Sequence, residues 1–280
     1  MHLPKGSRLI SKSTVAVVGG TGRMGRVLVR MLQPSGAKIF ICSRNPRRAR
    51  VLSQRLNVEV RGMDHVQDAD VVVVSVPIDK TVTTCRQLLK RMKPQSLLID
   101  VASVKKGTVD AIKKHVPENM EYLSLHPLFG PETKDFRREN VLAISLRKGP
   151  LSVSMLRFLS KRGLRTTHVT IDGHDRTMAV TQALHHFAYA ALATCMTTLM
   201  RKNNLQRFST RSMRKTFELI RSLSENVETI MEIQGMNPYS ATMRRKYAKT
   251  VASLLPMDDR TIRKIMYAME TIQELPSTDI

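Results

Sequence analysis

The chain has 280 residues, 46 of them Lys or Arg against 23 Asp or Glu, for a net charge of +23 at pH 7. That length buries a real core and accommodates one large or two modest domains. Three widely spaced cysteines, Cys42, Cys85 and Cys195, form no C-x-x-C pair and are odd in number. Neither a metal site nor a disulfide framework is indicated, and the pattern suits a reducing cytoplasm. The basic residues are dispersed in short groups, among them Arg47-Arg48, Lys105-Lys106, Lys113-Lys114 and Arg137-Arg138. Aromatics make up only 4% and no nucleic-acid-binding motif accompanies the charge, so it reads as a solvated surface suited to an anionic cofactor and substrate. A nucleotide- or nucleic-acid-binding regulator is the non-enzymatic alternative.

Residues 1–13 form a basic arm without the apolar run of a signal peptide. Val15–Val18 then reads as a short buried strand, followed by Gly20, Gly22 and Gly25 in G-x-G-x-x-G spacing and an apolar helical pattern over Arg26–Leu32. Strand, glycine turn and helix make a pyrophosphate cradle. Gly20 is expected to allow the tight turn, Gly22 the approach of backbone to phosphate, and Gly25 the close packing of helix on strand. Thr21, Arg23 and Met24 complete the turn, and the helix start offers unpaired N–H groups to an anion. Lys38–Cys42 reads as a second strand and Arg47–Leu56 as its helix. Asp70–Pro77 is a continuous apolar run, the pattern of a strand buried on both faces, whose end (Ser75, Val76, Pro77) falls where the cofactor is expected. Asp79 is expected to cap a helix running to about Met92. Leu97–Asp100, Tyr122–Leu125, Val141–Leu146 and Thr167–Ile171 read as further strands, with a helix near Leu151–Arg162.

After Asp172-Gly173 no convincing strand remains. Helices rich in Met, Ala and Leu are expected, broken near Asn203-Asn204, Gly235–Pro238 and Pro256. Ala179–Met200 is long enough to raise a membrane question, but Gln182, His185 and His186 interrupt it, and it reads as a buried helix. The fold class is therefore α/β: a Rossmann-type doubly wound parallel sheet over residues 1–172, then an all-helical domain over 173–280. The helical part is thin for its apolar content, which points to packing on the first domain and on a second subunit.

An NAD-binding unit of this type carries an acidic residue about 20 positions after the glycines for the ribose 2′-hydroxyl. Here the second strand ends in Cys42-Ser43-Arg44. Ser43 as hydrogen-bond donor and Arg44 as a charge-assisted partner of a 2′-phosphate favour NADP over NAD. Asp100-Val-Ala-Ser103-Val-Lys105 and His126-Pro-Leu-Phe-Gly-Pro-Glu132 both follow strands, so both belong at the ligand-binding edge of a parallel sheet. A His there suits proton transfer near neutral pH.

These stretches, with His174-Asp-Arg-Thr-Met-Ala-Val-Thr-Gln182-Ala-Leu-His-His186-Phe, resemble the prephenate dehydrogenase family of tyrosine biosynthesis. The likeness runs from about Thr14 to Pro238 and is greatest to archaeal members and to bacterial forms fused to chorismate mutase. No mutase segment is expected, since only about a dozen residues precede the first strand. The resemblance implies oxidative decarboxylation of prephenate to 4-hydroxyphenylpyruvate, without a metal. It assigns His126 as the catalytic His that takes the substrate's hydroxyl proton and Ser103 as the residue that orients it. His186 is implied as a substrate ligand, with Gln182 one turn earlier on the same face. Glu132 matches an acidic position at the pocket mouth of some relatives. Many bacterial relatives grip the substrate carboxylate with an Arg whose place here falls on Ser224; Arg221, one turn earlier, is the candidate substitute. His174-Asp175 is expected to start a helix, Asp175 serving its dipole. Arogenate as substrate, or another two-domain NADP-dependent dehydrogenase, are the alternative readings. A homodimer through the helical domain is implied, and no membrane association.

Overall fold

The computed structural model describes residues 9–43, 46–200 and 209–274. The chain divides into two compact units, Met1–Asp175 and Arg176–Ile280. In the first unit, β1 (Thr14–Val18), α1 (Arg23–Leu32), β2 (Lys38–Cys42), α2 (Pro46–Leu56), β3 (Glu59–Arg61) and β4 (Val71–Val74) follow one another. Then come α3 (Ile78–Leu89), β5 (Leu97–Asp100), α4 (Lys106–Lys113), β6 (Glu121–Pro127), β7 (Asn140–Arg147), α5 (Pro150–Lys161) and β8 (Arg165–His168). The described strands form a sheet in the order β3-β2-β1-β4-β5-β6-β7-β8, parallel throughout except between β6 and β7. The direction of winding reverses between β1 and β4, which opens a crevice at the carboxyl ends of the strands.

Alternation along the strands builds the core on both faces. Val15, Val17, Ile41, Val73 and Ile99 pack with Val27, Leu28 and Leu32 of α1, while Ala16, Val18, Phe40, Val72 and Leu98 pack with Leu88 of α3 and Ile112 of α4. That is why β4 is four consecutive valines, all buried. Each such side chain contributes about 2 kcal/mol on burial.

Several boundaries depart from the sequence reading, each for a local reason. Helix α3 ends at Leu89 and is capped by Pro77, so Asp79 is its second residue rather than its cap and lies 2.8 Å from the Lys80 ammonium. Strand β8 stops at His168 because Ile171 already opens α6 (Ile171–Met178). The short β3 and the eight-residue α4 have no counterpart among the expected elements. Residues 1–8 of the basic arm, Arg44, and the break at Asn203-Asn204 lie outside the described residues.

Helix α6 begins in the first unit and ends in the second, where the chain continues into a π-helical turn, Ala179–Leu184, and then α7 (His185–Met200). Helices α8 (Arg211–Ser224), α9 (Val227–Met236), α10 (Ser240–Ser253) and α11 (Asp259–Gln273) complete it. The break expected at Gly235–Pro238 falls at residues 237–239, α9 running on through Gly235 to Met236, while Pro256 does lie between helices and a further break falls at Glu225-Asn226. The wide turn is braced from within this unit: Gln234 Nε2 donates to the Ala183 carbonyl at 2.6 Å, and Arg244 Nη1 donates to Gln234 Oε1 at 2.8 Å. Among the described residues no helix is long and apolar enough to cross a membrane.

The glycine turn joins β1 to α1, with Gly22 as the helix N-cap. Its left-handed residue is Gly19, at φ +79°, one position earlier than the spacing predicts. Gly25 is required for space: a Cβ there would collide with the Gly19 carbonyl oxygen and lie 2.7 Å from the Gly20 Cα. Gly25→Ala is therefore expected to cost about 2 kcal/mol in urea denaturation. Gly107→Ala, with no atom within 4 Å of the added carbon, is expected to leave stability unchanged or raise it by about 0.5 kcal/mol.

Candidate active site

The register aligns Val18, Val74, Asp100 and Ser124 across β1, β4, β5 and β6, so the loops that follow share one edge of the sheet. That edge carries the glycine turn, Ser75-Val76-Pro77, the segment Val101–Lys105 and His126, two residues beyond Ser124. At the glycine turn, α1 begins on Gly22 with no side-chain cap and no acidic residue in its first turn. The Ser75 carbonyl lies against Gly19, so the end of β4 walls the turn. An uncapped helix start approached by side-chain-free backbone fits a phosphate group. Ser43 is half-buried at the end of β2, its N–H bonded to the Arg61 carbonyl at 3.1 Å.

His126 is buried near the carboxyl end of β6. Its Nδ1 lies 2.9 Å from His174 Nε2, and His174 Nδ1 lies 2.7 Å from Asp175 Oδ1. Asp175 accepts two backbone N–H groups as well, Lys105 N on Oδ1 at 2.9 Å and Lys106 N on Oδ2 at 2.8 Å. These are N–H groups at the start of α4, whose own sequence supplies no cap. Asp175 thus serves the N-terminus of a helix about seventy residues away in sequence, not that of the helix it sits in.

The ammonium of Lys105 is fully buried beside this chain of groups, 3.1 Å from Asp100 Oδ1 and 2.8 Å from the Leu125 carbonyl. Asp100 also accepts from Tyr122 Oη at 2.9 Å and from the Ala102 N–H at 3.1 Å. Burial pushes the His126 imidazole well below its ordinary pKa, with His174 and the Lys105 cation acting the same way. His174 is lowered by burial, against the raising effect of the hydrogen bond it donates to Asp175. Burial raises Asp175, but its hydrogen bonds from His174, Lys106 and Lys105 outweigh that and hold it below the usual carboxylate range. Lys105 is lowered by burial, with Asp100 opposing. Both histidines are thus neutral near pH 7 and Asp175 is a carboxylate.

The remaining candidates are placed as follows. Ser103 is half-buried in the loop before α4 and makes no hydrogen bond to His126; the ring's partner is His174. Glu132 is exposed, beside Gly130. In the second unit Gln182 lies in the π-helical turn and His186 in the first turn of α7. Gln182 Oε1 and His186 Nδ1 are buried without a hydrogen-bond partner, and burial, then the neighbouring His185, lowers His186 to about 4. Arg221 is exposed in the last turn of α8, and the Ser224 hydroxyl donates to its carbonyl at 2.7 Å. The roles of Lys105, Asp100, Tyr122 and His174 escaped the sequence reading; the adjacent His174-Asp175 pair was the one signal available for the last.

Residues 28–141 match the family model described as prephenate dehydrogenase, nucleotide-binding domain, and residues 170–263 the model described as prephenate dehydrogenase, dimerization domain. A probable arogenate/prephenate dehydrogenase of Methanocaldococcus jannaschii is 28% identical over 231 residues, covering 81% of this chain and 50% of that protein. The T-protein of Enterobacter agglomerans is 31% identical over 176 residues, covering 62% of this chain and 43% of that protein. The chain thus spans about half the length or less of these two relatives. Among solved structures, prephenate dehydrogenase from A. aeolicus in complex with hydroxyphenyl propionate and NAD+ superposes with a TM-score of 0.73 at 17% identity, covering 95% of this chain and 99% of that one.

Removing one partner of a buried ion pair leaves the other charge uncompensated. Lys105→Met is expected to cost about 3 kcal/mol in chemical denaturation. Lys113→Met breaks the exposed pair with Asp110 and is expected to cost less than about 0.5 kcal/mol.

Proposed function

The chain belongs to the prephenate dehydrogenase family, and we propose that it oxidatively decarboxylates prephenate to 4-hydroxyphenylpyruvate with NADP+ as hydride acceptor. One observation carries this reading: a phosphate cradle and a buried neutral imidazole share one sheet edge. They sit at the carboxyl ends of strands three positions apart, ~14 Å at ordinary strand spacing, so an extended ligand is what serves both.

Gly20, Thr21, Gly22, Arg23, Met24 and Gly25 would hold the pyrophosphate, with Ser75, Val76 and Pro77 walling the crevice. Ser43 and Arg44 would take the 2′-phosphate, since the end of β2 carries no carboxylate to meet a 2′-hydroxyl. The nicotinamide supplies the hydride acceptor. His126 faces the substrate hydroxyl through Nε2, which has no hydrogen-bond partner among the described residues, and accepts its proton as hydride leaves the same carbon. Loss of the ring carboxylate as CO2 then delivers the electron pair of the broken C–C bond into the ring, and His126 returns the proton to the phenolate oxygen. The imidazole ends as it began. Ser103, on the loop before α4, is the proposed polar neighbour of the reacting centre. Gln182 and His186, with their unpaired buried atoms, and the charged Glu132 and Arg221 are the proposed substrate contacts. The M. jannaschii relative carries both arogenate and prephenate in its name, so arogenate is the competing substrate.

A homodimer through the second unit belongs to the same reading. Its support is the match to a dimerization domain and the exposed apolar stripe of α11 formed by Ile262, Met266, Met269 and Ile272, of which Met269 is 69% and Ile272 67% exposed.

Steady-state assays with prephenate and arogenate, each with NADP+ and NAD+, test the assignment. The highest kcat/KM is expected for prephenate with NADP+; absence of turnover in all four combinations would sink the enzymatic reading. His126→Asn is expected to lower kcat about 1000-fold while NADPH binding, followed by fluorescence, is unchanged. For the assembly, light scattering is expected to give a dimer for the native chain and a monomer for the Met266→Asp/Met269→Asp double variant.

A further inference from the structure

We propose that His174 and Asp175 are positioning residues that fix His126 as its Nδ1–H tautomer, so that Nε2 is bare and is the nitrogen that receives the proton. The inference rests on His126 being the base of the proposed reaction.

Hydrogen-bond bookkeeping along the chain of groups leads to this assignment, beginning at its far end. Asp175 offers only acceptors, because each carboxylate oxygen already receives a backbone N–H, from Lys105 on Oδ1 and from Lys106 on Oδ2. The His174 nitrogen 2.7 Å from Oδ1 therefore carries a hydrogen. A neutral imidazole has one N–H, so His174 Nε2 is a lone pair. His126 Nδ1 lies 2.9 Å from that lone pair and must donate to it. His126 is neutral in its turn, which leaves Nε2 without hydrogen. Two backbone amides at the start of α4 thus determine, through three side chains, which ring nitrogen of the base is open.

The same connection works in the protonated state. When Nε2 takes the substrate's proton, the Nδ1–H of the imidazolium still has an acceptor, and the charge faces the Asp175 carboxylate across one polarisable ring. The alternative tautomer would place a hydrogen on Nε2 and set two lone pairs, His126 Nδ1 and His174 Nε2, against each other in a buried site. No proton leaves the relay: His126 gains one at Nε2 and gives it back, while the Nδ1 hydrogens of both rings and the Asp175 charge are restored.

Three measurements test this. The 15N spectrum of histidine-labelled protein at pH 8, with the His126 signals identified by their loss in His126→Asn, is expected to show Nδ1 protonated and Nε2 bare; an Nε2–H tautomer overturns the proposal. His174→Phe removes the acceptor and is expected to lower kcat about 100-fold, with KM for both substrates within about threefold of native. His174→Gln places an amide oxygen near the lost Nε2 and is expected to recover about tenfold of that loss; equal activities for the Phe and Gln variants count against the relay. Where His174→Phe does not fold, the native spectrum and the Gln variant decide. The two levels separate cleanly. Turnover surviving in His126→Asn removes the base itself, whereas an inactive His126→Asn with an unimpaired His174→Phe removes only the positioning role.

Discussion

Lys105 is the point where the first unit's active edge is tied together, and it does so in two ways at once. Its ammonium, wholly buried, needs anionic and carbonyl partners that only adjacent strands provide, Asp100 at the end of β5 and the Leu125 carbonyl of β6. Its backbone N–H reaches instead to Asp175, and through that carboxylate to His174 and His126. A charge placed in a low-dielectric interior is tolerated only with every partner in position. The strand ends, the start of α4 and the imidazole pair therefore have little freedom to move independently. The cation has a second effect. It stands against protonation of both histidines, which keeps His126 neutral where a solvated imidazole would already be partly charged.

How legible all this is in the sequence depends on whether the cause is local. The parallel sheet is read easily, because Val71–Val74 or Ile39–Cys42 is apolar for reasons contained in four residues. The glycine turn is legible as a motif, yet the left-handed φ falls on Gly19, and the Ser75 carbonyl, just past the end of β4, also fills the space a side chain there would need. Helix α4 escapes notice because Lys105-Lys106-Gly107 carries no cap, the cap being Asp175. Strand β3 is three residues without a period. His126 reads from the sequence as a loop residue after a strand, whereas β6 extends through it to Pro127, and its partner is fixed only by folding. A reader of the sequence reaches for Ser103 and finds, in space, His174. The π-helical turn has no signature at all in Ala179–Leu184; its bracing by Gln234 and Arg244 is tertiary.

Family membership and geometry constrain different things. Membership rests on two matched segments of the sequence, while the geometry shows which groups of this chain share one sheet edge. The strong positive charge accords with the anionic ligands proposed above, and it is dispersed along the sequence in short groups rather than gathered in one run.

The wide turn at Ala179–Leu184 has a consequence for where the helix after it points. Successive residues of an α-helix are offset by about 100° around the axis, so tightening this turn to ordinary pitch, with no residue lost, would rotate every later side chain of α7 by a comparable angle. His186 would then look out from another side of the helix, and the Ala183 carbonyl would no longer project toward Gln234. The heading of α7 is thus set by the one wide turn that precedes it. Gln234, itself held by Arg244, meets the carbonyl that this width leaves free of the ordinary helical ladder.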